Sequence, residues 1–176
     1  MVDISLTTLA AAVETVKEIV KVYDGYAKGR FMKTDEAVRA EIQRRCEMIS
    51  RHLERLQTEY QAIGERNCRV ALENNISLIQ SLRGEAQFSI AGSPAATHKS
   101  IGKLSSKSVR KLVDQDSMCL RSLVETTRLC NEISENFIGN GEKESLQMIS
   151  KLGQKINRSR NMFLERNMFI DGLMKR

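Results

Sequence analysis

Apolar residues recur along most of this chain at alternating steps of three and four, and this spacing restricts its fold more than any other feature. Such steps place the apolar side chains on one stripe of an α-helix that lies against another helix. Pro94 is the only proline, so the patterned segments lack the strongest helix breaker. No segment shows the strict alternation of a half-buried strand. The sequence predicts an all-α fold: an elongated antiparallel bundle of four long helices with coiled-coil-like heptad packing.

The first half of the chain predicts two helices of unequal length that pair as a hairpin over residues 1–90. The apolar register of the first helix continues through Tyr23 to Ala27. Thr34 and Asp35 are typical capping residues and predict the start of the second helix. An unbroken second helix to residue 88 would be about 80 Å long, which the first helix cannot cover.

The register of that second helix slips after Val70. A slip of this kind indicates either a stutter in one continuous helix or a break. The residues that favour a break are Gly64 and the pair Asn74-Asn75. The pattern does not choose between these alternatives.

The second half of the chain predicts a linker and a second hairpin. Residues 91–105 form a basic segment rich in glycine and serine that contains Pro94. A third helix begins at about Ser106, although Asp114 and Asp116 interrupt its apolar face. The glycines at 139 and 141 predict a tight turn, so residues 106–176 form a helix 3–4 hairpin in the same bundle.

Composition favours a soluble, cytoplasmic protein. No stretch reaches the roughly 18 apolar residues of a membrane-spanning helix, and the first residues lack the basic region of a signal peptide. The four cysteines lie singly inside helical patterns, which is typical of free thiols in a reducing compartment.

The sequence contains few groups that could carry out catalysis, so we expect no enzyme, no cofactor and no metal. His52 and His98 are the only histidines, and no cluster of metal ligands accompanies either. Phosphate-binding glycine loops are also absent. One alternative remains, because Arg45 and His52 resemble the Arg-x(4–6)-His signature of helical HEPN-type ribonucleases. Their spacing of seven residues places both on one helix face, and the resemblance implies action on an RNA phosphate.

The net charge of +6 lies in the second half of the chain, which suggests an anionic partner as a second alternative. The candidate anion-binding residues are Lys99, Lys103, Lys107, Arg110, Lys111, Lys151, Lys155 and Arg158. Aromatic residues that could stack on bases are scarce among them, and a solvated helix face is the competing interpretation.

The end of the fourth helix carries more apolar residues than one neighbouring helix can cover. The candidate partner-binding residues are Met162, Phe163, Met168, Phe169 and Leu173. They indicate either the centre of a bundle or a Met-rich docking surface. We therefore predict a non-enzymatic binding, scaffold or adaptor protein that acts through helix–helix contacts. Its partner would be another protein, a second copy of itself as a homo-oligomer, or both.

Overall fold

The computed structural model describes residues 4–20, 23, 25–26, 30–88, 104–137, 139 and 141–174. This part of the chain contains five α-helices. They are α1 (Ile4–Ile19), α2 (Phe31–Ala62), α3 (Arg66–Phe88), α4 (Ser106–Glu135) and α5 (Glu142–Met174). The last four are long and pack antiparallel, and no strand occurs among the described residues. The predicted all-α bundle of four long helices is confirmed.

Each long helix packs against two others. α2 lies against α3, α3 against α5, α5 against α4, and α4 against α2, which closes a ring of four helices. α1 packs against α4 as a fifth helix. The structure thus differs from the predicted pairing of the first two helices, since α2 pairs with α3. Most of the predicted linker lies outside the described residues, and the domain boundaries stay a prediction.

The chain reverses direction at Gly64, which resolves the register slip in favour of a break. Gly64 has φ +80°, a conformation that favours glycine. Its N–H donates to the Gln61 carbonyl at 3.2 Å, and the N–H of Glu65 donates to the Tyr60 carbonyl at 3.0 Å. These two bonds form a Schellman motif that satisfies the last carbonyls of α2. α3 therefore covers α2, and Asn74 lies inside α3.

The predicted boundary between the first two helices is wrong on both sides. α1 ends at Ile19, and a continuation to Ala27 is ruled out because Gly25 and Tyr26 have φ of +64° and +62°, which a right-handed helix does not contain. α2 begins at Phe31, and its N-cap residue makes no side-chain capping bond. Asp35 is buried within the first turns of α2 rather than capping it.

The bundle core is mainly aliphatic and also holds all four cysteines as free, buried thiols. α3 and α5 approach closely at Gly153, where an added Cβ would lie 2.5 Å from Asn75 Oδ1. Asn75 Nδ2 donates to the Ile149 carbonyl of α5 at 2.9 Å. The Ser159 hydroxyl donates to the Ser122 hydroxyl at 2.8 Å, so small residues also set the approach of α4 and α5.

Candidate docking face and the buried cluster beneath it

The outer side of the α4–α5 hairpin carries a band of apolar and basic side chains, which we call the docking face. The residues of the face are Lys107, Lys111 and Met118 on α4, and Arg158, Met162, Glu165, Met168, Phe169, Gly172 and Leu173 on α5. On each helix these residues follow one another mainly at steps of three, four or seven, which places them on the same side. They line two depressions that lie between the helices.

The first depression lies where the start of α4 meets the end of α5 and has a volume of about 410 Å³. Met168, Phe169 and Leu173 provide its apolar lining, and the Met168 side chain is 72% exposed. The ammonium of Lys111 lies 4.3 Å from the centre of the Phe169 ring, within the range of a cation–π interaction. The end of the face is thus apolar with a basic rim.

The second depression continues along the same two helices and has a volume of about 540 Å³. Met118, which is 52% exposed, and Met162 supply its apolar part. Arg158 and Glu165 lie among the lining residues, so their charges balance. Farther along, Lys155 forms an ion pair with Glu125 at 2.5 Å, and the surface there becomes polar.

The structure brings together residues that the sequence assigned to two separate sites. Met162, Met168, Phe169 and Leu173 of the partner-binding set lie on the docking face. Phe163 does not, because its side chain is completely buried in the core. The apolar end of α5 is therefore part of the bundle core on the side of Phe163 and part of the exposed surface on the side of Met168.

The predicted anion-binding residues are more scattered. Lys107, Lys111 and Arg158 lie on the docking face, Lys151 is exposed on α5, and Arg110 is half-buried. Lys155 is paired with Glu125. Lys99 and Lys103 lie outside the described residues. Among the described members of this set, only Lys107, Lys111 and Arg158 therefore border exposed apolar residues.

A cluster of buried charged and polar side chains lies in the core beneath the docking face. Arg166 of α5 is 0% exposed, and its Nε donates to Asp116 Oδ1 of α4. Its Nη2 donates to the Tyr26 hydroxyl at 2.6 Å and lies 2.6 Å from Asp35 Oδ1. The hydroxyls of Tyr26 and Tyr23 donate to Asp116 Oδ2 at 2.7 and 3.1 Å.

A second arginine completes the cluster from α2. Arg39 donates from Nε to Asp35 Oδ2 at 2.9 Å and from Nη2 to Asn167 Oδ1 of α5 at 2.7 Å. Its guanidinium also lies 5.1 Å from the centre of the Phe163 ring. Two arginines and two aspartates balance each other, so the cluster is electrically neutral. It ties α2, α4, α5 and the segment after α1 together.

Burial and charge act in opposite directions on these groups. Burial raises the pKa of Asp116 above its usual value, although the Arg166 guanidinium lowers it in part. Burial would lower the pKa of Arg166, but the charge of Asp116 raises it well above its usual range. Burial also raises the pKa values of Tyr23 and Tyr26, so both phenols stay protonated donors. The cluster is therefore an ion-pair network that places the end of α5 in a fixed position.

The sequence did not reveal this cluster, although it held one signal. Asp116 interrupts an otherwise apolar helix face, and a carboxylate in that position implies a buried cation. Arg166 falls outside the apolar register, which runs through the neighbouring Asn167. Asp35 has the residue type of a helix cap, and Tyr26 lies outside the register of the first helix.

Arg45 and His52, the residues of the ribonuclease alternative, lie on α2 away from the docking face. Arg45 Nε donates to Glu41 Oε1 at 2.7 Å, and His52 is half-buried. Burial would raise the pKa of Glu41, but hydrogen bonds and charges from Arg44 and Arg45 lower it below its usual value. Arg45 is thus already held by a carboxylate. In the described ranges, no group of three or more His, Cys, Asp or Glu side chains could hold a metal ion.

The described helices include none with the length and apolar character needed to cross a membrane. Scans against models of protein families, against curated proteins and against solved structures find no match to this chain.

Proposed function

We propose that this protein is a non-enzymatic helical binding or adaptor protein that receives a partner helix on its docking face. One observation carries the proposal: the exposed Met168, the half-buried Phe169 and two lysines that form no ion pair with a described carboxylate border one depression between α4 and α5. Met-rich surfaces of this kind adapt to the side chains of a partner helix. An exposed apolar patch with a polar rim is typical of an interaction site.

The buried cluster supports the proposal because it makes the floor of the face rigid. Arg166 and Asn167, which hold the cluster, directly precede Met168 and Phe169 on α5. A surface that is already ordered loses little conformational entropy when a partner binds. Burying one exposed methionine side chain contributes roughly 1.5–3 kcal/mol, so a few such residues suffice for a specific complex.

Self-association is a second form of the same function, since the face of one copy could receive a helix of another. The free, buried thiols fit a reducing compartment, and we propose the cytoplasm as the location.

Nucleic acid or another anionic surface is the alternative partner, supported by Lys107, Lys111 and Arg158 on the face. We favour protein, because the Phe169 ring is covered by Lys111 and is thus not free to stack on a base. The ribonuclease alternative has less support, because Arg45 is bound to Glu41.

The test compares two exposed apolar residues on different faces. We expect Met168→Asp on the docking face to abolish recovery of a native binding partner from nuclease-treated extract, identified by mass spectrometry. Val70→Asp is the matched control, because Val70 is a 42% exposed residue on α3. Light scattering of both variants reports on self-association. Equal recovery of the same partner by both variants would refute the proposal, and loss of all partners after nuclease treatment would favour nucleic acid.

A further inference from the structure

We infer that the docking face takes an acidic amphipathic helix of another protein, with apolar residues on one side and carboxylates along the flank that meets α4. This inference rests on the proposed function and adds the chemistry of the partner. It follows from the shape of the face, from the distribution of charge around it and from the other exposed apolar residues of the chain.

The shape of the face fits a helix of about five turns. The two depressions follow one another along α5 between Gln154 and Leu173. At 1.5 Å per residue this span is about 30 Å, the length of a helix of about 20 residues. Met162, Met168 and Leu173 are spread along this span, so a partner helix can contact them with apolar residues from successive turns.

The charged residues that line the first depression are basic. Lys107 and Lys111 line it, and no acidic residue does. Neither lysine forms an ion pair with a described carboxylate, and the ammonium of Lys111 lies over the Phe169 ring instead. Ser105 caps α4 at the same end by accepting from the Ser108 N–H at 3.1 Å, so the positive end of the α4 dipole adds to this potential. Carboxylates on a partner would complement it.

A second copy of this chain does not supply such a helix from its described surface. Among the described residues outside the docking face, the exposed large apolar side chains are Ile63 and Val70. Ile63 follows the last residue of α2 and Val70 lies on α3, so they flank the Gly64 reversal and do not form the apolar stripe of one continuous helix. The described surface of a second copy thus offers no apolar helix as long as the face, and a helix of another protein fits the face better.

The experiment presents the protein with a displayed library of amphipathic helical peptides of about 20 residues, whose flank positions vary among Glu, Lys and Gln. For the unmodified chain we expect Glu to be enriched over Lys at one flank by about threefold to tenfold, the range that follows from one or two exposed ion pairs. In the double variant Lys107→Glu with Lys111→Glu, the preference should switch to Lys. Lys151→Glu, an exposed lysine elsewhere on α5, is the control and should keep the preference for Glu.

Four results would overturn the inference. In the first, the library yields no binder. In the second, the double variant keeps the preference for Glu, and in the third, the chain binds phosphatidylserine vesicles or single-stranded RNA more tightly than the selected peptides. In the fourth, the unmodified chain self-associates and the double variant does not. Circular dichroism checks that each variant is folded. If the Met168→Asp variant still loses the native partner while no acidic preference is found, the proposed function stands and only the chemistry assigned to the partner fails.

Discussion

Replacing Arg166 with methionine tests whether the buried cluster holds the bundle together. Methionine keeps an unbranched, flexible stem like that of arginine but lacks the guanidinium, so the change removes the cation with a limited loss of packing. Asp116 then loses the partner of its Oδ1, and Asp35 loses one of its two cationic neighbours. The core would hold two aspartates and one arginine, which is one uncompensated negative charge in a region that excludes water.

Breaking a buried ion pair by removing one partner costs about 3–5 kcal/mol. Domains of this size are typically stable by about 5–15 kcal/mol, so the variant should remain folded at 25 °C but be close to its limit. At about 2–4 °C for each kcal/mol, its melting temperature should fall by about 6–20 °C. The double variant Arg166→Met with Asp116→Asn restores neutrality and should recover part of the loss.

Urea unfolding followed by circular dichroism measures these changes, and the two single variants with the double variant form a double-mutant cycle. Arg160→Met is the matched control. Arg160 lies on the same helix and pairs with Glu85 of α3, but this pair is partly exposed. Its loss should cost less than about 1 kcal/mol. A cost for Arg166→Met no larger than for Arg160→Met would refute the argument, as would fully additive effects of the Arg166 and Asp116 substitutions.

Two further predictions concern the core. Burial raises the pKa of Cys46, Cys119 and Cys130 to about 12, whereas an unfolded thiol titrates near 8.5. The stability that these protonated thiols contribute is fully present below about pH 8.5 and is lost as pH rises toward 12, by about 1.4 kcal/mol per pH unit for each thiol. Urea unfolding at pH 8 and pH 10 should show this loss in the free energy of unfolding, and a variant with the three cysteines replaced by alanine should lose less. An equal fall in the free energy of unfolding for both proteins would contradict the raised thiol pKa values. Gly153→Ala should destabilise the protein by about 1–3 kcal/mol because its methyl group would displace Asn75 from the Ile149 carbonyl. Gly84→Ala, a helical position with open space, should instead stabilise it by up to about 1 kcal/mol, and a gain at both positions in thermal melts would disprove the close approach.

The parts of the fold that could be predicted are those with local signals. Ser105 and the glycines at 139 and 141 are turn and capping residues, and they bound α4 and α5 where the sequence placed them. The reversal at Gly64 was harder, because the apolar register runs through Tyr60 and Ile63 on either interpretation. Periodicity reports which face of a helix is buried, but it does not report whether the chain continues or folds back.

The buried cluster could not be predicted because its members are far apart in the sequence. Tyr26 lies one position before Ala27 of the apolar register and Asp35 fits a helix cap, so local rules connect neither residue with a buried cation. Only the fold brings both to Arg166, which is 140 residues after Tyr26. The docking face could be predicted in part, because its Met and Phe residues stand out in the sequence. The sequence places the basic residues in a separate site, because only the fold shows that α4 and α5 lie side by side.

The contacts of the two tyrosines also bear on how the chain assembles. The α2–α3 and α4–α5 hairpins close over turns of only a few residues, whereas Tyr23 reaches Asp116 across 93 residues. Closing that larger loop costs about 2 kcal/mol more in chain entropy. Both tyrosine hydroxyls donate to Asp116 of α4, and Arg166 of α5, which donates to Tyr26, reaches the same carboxylate through the α4–α5 hairpin. The segment after α1 is thus held by long-range hydrogen bonds. Forming them lowers the free energy more readily once the short-range hairpins already exist.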